Sequence, residues 1–279
     1  MSESVKFQLD IRLILLGFFV ALFSAGIGIG GGALLVSILM SVFGFDFKKA
    51  ASTSLATIIP ISFIGSASHI VFISEISHLQ YYFTFIPACV LGTILGIRIV
   101  RKHQNGRFKF AFSLFLFIIS LKMLKIFDFP FLIYSGLHSI LFSNEWLPIV
   151  PIGIFIGMIG VSLGIGCGLL IVPFYVIVLN LNIHEAITLS LTTMFFLTLS
   201  ATIMNNRFKT LDVVSLKSLF IPALAGSVVG AIISGNLPAP ILKIVFGMFL
   251  FIVACSHIIQ EIAMCFRPAV LVKKFQGKD

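Results

Sequence analysis

Two stretches of this chain hold residue types that can bind an anion without a buried charge. Ser52, Thr53, Ser54 and Thr57 open one apolar run, and Thr188, Ser190 and Thr193 open another. Ser54 and Thr57, like Ser190 and Thr193, are three apart and share a helix face, so their hydroxyls can donate together to the oxygens of an oxyanion. Ahead of each stretch lies a glycine cluster, Gly28, Gly30, Gly31 and Gly32 in the first case and Gly164, Gly166 and Gly168 in the second. Glycine weakens a helix and permits positive φ, and a broken helix leaves backbone N–H groups free to face an anion. Each feature has a plainer explanation. Serine and threonine bond back to their own helix carbonyls, and small residues four apart let two helices approach closely. For the glycines a binding role is preferred, because the clusters recur at matching places in over-long apolar segments. For the hydroxyls the two explanations stand level. Gly92 with Gly96 and Gly226 with Gly230 lack that context and are read as packing contacts.

His69 and Asn205 are polar groups at matching places farther along the same runs, and a polar group within a membrane segment is a candidate for function. An interfacial role for His69 stays open. No Asp or Glu falls in the middle of an apolar segment, so no carboxylate proton relay is visible. No HExxH, GxSxG or phosphate loop with its lysine occurs, and the four cysteines show no metal-ligand spacing. The chain is therefore read as a non-enzyme, with no catalytic residue, metal or cofactor assigned.

The elements that must position these groups are set by composition. Of 279 residues 59% are hydrophobic and 10% charged, against about 45–50% and about 25% in an ordinary soluble domain. The apolar segments fall near 11–43, 50–73, 79–100, 108–127, 129–142, 147–179, 186–205, 213–235 and 241–260. Many exceed the roughly 20 residues needed to cross a bilayer, which predicts an all-α integral membrane protein. The first stretch is longer than the 7–15-residue apolar part of a signal peptide and is read as part of the mature protein. The net charge of +9 sits in short clusters between apolar runs, as cytoplasmic loops of membrane proteins do. It does not form the basic, aromatic-interleaved stripe of a nucleic-acid binder.

Self-similarity orders the segments. An offset of 136 aligns Gly17 with Gly153 and continues without a gap to His69 and Asn205, pairing Gly28/Gly164, Ser54/Ser190 and Thr57/Thr193. The match resumes at an offset of 134, with Gly92/Gly226, Gly96/Gly230 and Phe112/Phe246. The chain thus reads as two homologous four-segment halves, 1–127 and 147–262, with a linker at 128–146 and a cytoplasmic tail at 263–279. As one helix of about 1.5 Å per residue, the first segment of each half overshoots a hydrocarbon core of about 30 Å. It is expected to break at its glycines, as a re-entrant or discontinuous helix. If those first segments turn back, the halves are inverted in the membrane. The cytoplasm then receives every Lys and Arg except Lys122, Lys125 and Lys243, as the positive-inside rule requires. Crossing by every segment would leave almost no charge bias. A rival in which the first segments and the linker all cross also keeps the halves inverted.

The glycine motifs GIGIGGGALLV at 26–36 and SLGIGCGLLIVP at 162–173 resemble those of the sulfite exporter TauE/SafE family of membrane permeases. So do the AASTSLATIIP and AITLSLTTMFF stretches that follow them and LKIVFGMFLF at 242–251. The resemblance covers nearly the whole chain. It implies a multi-pass protein of the bacterial inner membrane that exports a small sulfur-containing oxyanion, such as sulfite, sulfoacetate or another sulfonate. It also implies binding roles for Gly28, Gly30, Gly31, Gly32, Ser52, Thr53, Ser54, Gly164, Gly166, Gly168, Thr188 and Ser190. Two departures disturb the symmetry of the halves: Ser37 stands opposite Pro173, and Gly31 opposite Cys167. The expected partners are a small anion and the lipid bilayer, with a homodimer compatible and no nucleic acid. Rival functions are transport of another small anion, such as a carboxylate, and a membrane-embedded enzyme using His69.

Overall fold

A chain this apolar must satisfy its backbone N–H and C=O groups internally, and a helix does so within one segment. The computed structural model describes residues 11–72, 80–100, 106–124, 126, 149–162, 164, 166–206 and 211–266, and among these it has helices and no strand. Segment one is split into α1 (Ile11–Ile27) and α2 (Gly32–Ser41). There follow α3 (Phe47–Phe72), α4 (Gln80–Val100) and α5 (Gly106–Met123). The second half repeats the order with α6 (Ile149–Ser162), α7 (Gly168–Pro173) and a π-helical turn at Phe174–Val178. Then come α8 (Ile183–Asn206), α9 (Val213–Asn236) and α10 (Ala239–Phe266). The predicted linker and tail lie largely outside the described residues.

Among the described residues α3, α8, α9 and α10 are long and apolar enough to cross a membrane. Large side chains such as Phe83, Ile221 and Ile252 stand exposed on helix surfaces. In water that would be costly, and against acyl chains it is not. The chain is an integral membrane protein.

Packing gathers the chain into two units that cut across the sequence halves. The first comprises residues 1–102 and 130–242, the second residues 103–129 and 243–279. Within the first unit each half lends its leading helix to the other, for α1 lies along α9 and α6 lies along α4. The contacts match pair by pair. A Cβ on Gly17 would meet Leu219 and Pro222, and one on Gly153 would meet Phe85 and Ala88, the residues equivalent to these. A Cβ on Gly226 would strike the carbonyl of Phe18, and one on Gly92 the carbonyl of the equivalent Ile154. Gly230 meets Leu22 in this way and Gly96 meets Met158. These glycines are the small-residue seams through which helix backbones touch. In this unit α3 also packs on α8, and each packs on the helix that follows its equivalent in the other half, α3 on α9 and α8 on α4.

In the second unit Phe117 and Phe251 meet with ring centroids 5.4 Å apart. They are equivalent residues at the 134 offset, and a residue touches its own equivalent where a two-fold relation passes between them. Smaller details repeat as well. Gly44 has φ 66° and its equivalent Asn180 has φ 53°, Asn being among the non-glycine residues that visit this region most readily. Phe45 N–H donates to Leu39 O and Leu181 N–H to Tyr175 O, both at 3.0 Å. The halves differ at Pro173, which has no N–H to donate and whose ring crowds the preceding turn. Directly after it the helix widens into the π turn, whereas α2, with Ser37 at that place, stays α-helical.

Candidate functional site

The glycine clusters do break their segments. Gly28, Gly30 and Gly31 take φ of 73°, 82° and 66°, and Gly164 and Gly166 take 66° and 73°, a region that L side chains enter with strain. Gly28 N–H and Ile29 N–H both donate to Ser24 O, at 2.9 and 3.2 Å, which closes the last turn of α1. The first backbone bond of α2 runs from Leu35 N–H to Gly31 O at 2.9 Å. The N–H groups of Gly32, Ala33 and Leu34 therefore precede the helix's own ladder.

The two breaks face one pair of side chains. A Cβ on Gly30 would lie 2.5 Å from Met194 Sδ and 3.7 Å from Ile58 Cγ2, and one on Gly166 would lie 3.2 Å from Ile58 Cδ1 and 3.7 Å from Met194 Sδ. Ile58 and Met194 are equivalent at the 136 offset and both are fully buried. Gly28 packs on Ile187 and Gly164 on Ala51, again equivalents. Glycine is required here because any side chain would enter the space that these residues fill.

The sequence-predicted hydroxyls divide into two groups. Ser190 Oγ donates to Gly28 O at 2.9 Å, and Ser54 Oγ donates to Gly164 O at 3.3 Å and to Gly32 O at 3.4 Å. Each serine thus ties its helix to a carbonyl in the break of the opposite half. Thr57, Thr188 and Thr193 instead donate to Thr53 O, His184 O and Leu189 O, one turn back on their own helices. Thr53 Oγ1 accepts from Asp212 N–H at 3.3 Å, in a cluster where Ser215 Oγ donates to Asp212 Oδ2 at 2.6 Å and Lys49 pairs with it at 3.6 Å. Ser52 is buried on the same helix. His69, fully buried near the end of α3, bonds through Nε2 to Ala25 O at 2.9 Å. Asn205 is buried near the end of α8. The structure therefore brings Gly28, Gly30, Gly32, Gly164, Gly166 and Gly168 together with Ser54 and Ser190, whereas Thr57, Thr188 and Thr193 turn back to their own helices. Among the described residues Glu185, in the first turn of α8, is the one buried carboxylate.

Sequence reasoning missed the Ile58/Met194 pair, which carries no polar signal. It also missed Ser24, buried beside the first break with its hydroxyl unpartnered. The 136 alignment held a clue. Ser24 pairs with Gly160 just as Gly31 pairs with Cys167, so that a side chain gained on one line is lost on the other. A Cβ on Gly31 would meet Ser24, and one on Gly160 would meet Cys167 Sγ.

A family model described as sulfite exporter TauE/SafE matches residues 4–123 and 149–274. The chain is 32% identical over 126 residues, 45% of its length, to the probable membrane transporter protein YunE of Bacillus subtilis (strain 168), covering 42% of that protein. It is 29% identical over 116 residues, 39% of its length, to sulfite exporter TauE/SafE family protein 1 of Arabidopsis thaliana, covering 26% of it. The matched stretches span less than half the length of each relative. No solved structure matches the chain.

Proposed function

The chain belongs to the sulfite exporter TauE/SafE family, and on that premise we propose that it exports a small sulfur-containing oxyanion, such as sulfite, sulfoacetate or another sulfonate, across the bacterial inner membrane. The observation that carries this reading is the convergence of both glycine breaks on Ile58 and Met194. Two inverted repeats with interrupted helices can expose one midplane site to each side in turn. Here the repeats would move about the line between Ile58 and Met194, with the serine bonds from α3 and α8 holding each break to the opposite half. In this arrangement the two apolar side chains occupy the space between the breaks, and on this reading it is the closed state of the cycle. An anion enters when they part, and it meets backbone N–H groups rather than a lysine or arginine. Neutral donors bind less tightly than a buried cation and let the substrate leave.

Flux of sulfite from liposomes containing the purified chain tests this. An interior-negative potential favours anion exit by about 2.3 kcal/mol per charge per 100 mV, so efflux should accelerate under such a potential with no pH gradient. Release of a chemically altered product would identify an enzyme instead. Movement of carboxylates with none of sulfite or sulfonates would reassign the substrate. Strict dependence on a proton or sodium gradient would reveal a coupling site elsewhere.

A further inference from the structure

The two breaks are equivalent in sequence position but not in what fills them, and the difference lies in two residue pairs. In the second half Cys167 takes φ −81°, the right-handed region, which frees it from the strain that a side chain would suffer at the φ of 66° held by Gly31. Its Sγ turns into the hollow left by Gly160 and donates to Ile156 O at 3.2 Å. That hollow is closed and its donor is satisfied. At the equivalent place in the first half stand Ser24 and Gly31, with the Val20 side chain packed beside them. Ser24 Oγ lies 3.4 Å from the point a Gly31 Cβ would occupy. Its residue is 2% exposed and the hydroxyl has no hydrogen-bond partner. Gly31 is the N-cap of the ten-residue α2 and gives it no side-chain cap. An unbonded buried hydroxyl and an uncapped helix N-terminus therefore meet at one place, and both want an acceptor.

We propose that the first break alone holds the anion, with Ser24 as its hydroxyl donor beside the N–H groups that begin α2, so that the chain binds one small oxyanion rather than one per half. This rests on the transport reading and assigns its substrate to one of the two breaks. Val20, 3% exposed, forms the apolar wall, since a Cβ on Gly31 would also lie 2.6 Å from Val20 Cγ1. Val20 Cγ1 leaves no room for a methyl group beside Gly31 in this arrangement, so the anion enters when Val20 moves aside, and a compact head such as a sulfite or sulfonate group demands the smallest movement.

Titration calorimetry on the detergent-solubilised full chain, with sulfite and sulfoacetate as probes and chloride as the control, tests the assignment. Wild type should bind one sulfur oxyanion per chain. Ser24→Ala should weaken binding at least tenfold while leaving the ligand-free melting temperature unchanged or higher, because the hydroxyl has no partner within the protein. The double change Ser24→Gly with Gly31→Cys copies the second half and should abolish binding. The reverse pair, Gly160→Ser with Cys167→Gly, copies the first and should raise the stoichiometry to two. Wild-type affinity in Ser24→Ala, or two anions bound by wild type, overturns this site and leaves the transport reading intact. A wild-type chain that binds neither probe overturns the transport reading and this site with it.

Discussion

Replacing Ser190 or Ser54 by alanine separates a serine that binds substrate from one that ties the two halves together. Ser190 Oγ and Gly28 O are 2.9 Å apart and both residues are buried, which is good geometry for a hydroxyl donor. Removing the donor leaves a buried carbonyl without its partner, at a cost of about 1–3 kcal/mol. Ser54 shares its proton between two carbonyls at 3.3 and 3.4 Å. These lie beyond the usual O–H···O range of about 2.5–3.0 Å, so each bond is weak and the loss should be about 1 kcal/mol or less. Ser190→Ala should therefore be the more destabilising change by about 1 kcal/mol, a factor of roughly five in the folding equilibrium. Reversible denaturant unfolding in mixed micelles, without substrate, measures this directly. The double alanine variant should come close to the sum of the two effects, because the serines bond to different breaks. Unchanged stability in both single variants, together with lost affinity for sulfite, would refute the reasoning and return the hydroxyl protons to the ligand.

Gly92→Ala and Gly226→Ala drive a methyl group into a neighbouring helix carbonyl, which no rotamer relieves, so each should cost about 3 kcal/mol or more and the two penalties should agree; thermal unfolding of the pair checks both points. Gly44 has open space around its missing Cβ but φ of 66°, so Gly44→Asn should be nearly neutral, as Asn180 already shows at the equivalent place, while Gly44→Val should cost about 1–2 kcal/mol. Met194→Ala empties part of the space between the breaks, and should raise the flux of sulfoacetate relative to sulfite in liposomes at a stability cost of about 2–5 kcal/mol. For inverted repeats, cysteines introduced at Asn105 and Asn182 should be labelled from opposite sides of the membrane, and labelling from one side would exclude the inversion.

The helical segments and their glycine breaks were legible in the sequence because each rests on a strong local signal. The segments follow long apolar runs, and the breaks follow glycines clustered in runs too long for one straight crossing. The repeat also explains the equivalent contacts, since two residues at one offset occupy like positions. What each hydroxyl bonds to was not legible. Thr57 and Ser54 sit one turn apart on α3, yet one turns back to Thr53 O and the other reaches Gly164 O. A serine bonds whichever carbonyl lies nearest, and for Ser54 that carbonyl is 110 residues away. The lending of α1 to α9 and of α6 to α4 was hidden for the same reason: small-residue seams announce a close approach but do not name the partner. Gly31/Cys167, read as a blemish in the symmetry, gained meaning only once Ser24/Gly160 was found beside it.

The lending of leading helices also constrains how the molecule can be made. While the ribosome is still adding the first half, the glycine seam of α1 has no α9 to meet, because that helix emerges roughly 200 residues later, some 10–40 s at about 5–20 residues per second. During that interval α1 and α4 each present an unmated groove. The nascent first half is thus a client for whatever holds polytopic proteins open during insertion. Expressed apart, residues 1–127 and 147–262 should each be degraded, and together they should rescue one another. The exchange has a historical corollary: a single ancestral half could have mated with a second copy of itself through these same grooves before the two genes were joined.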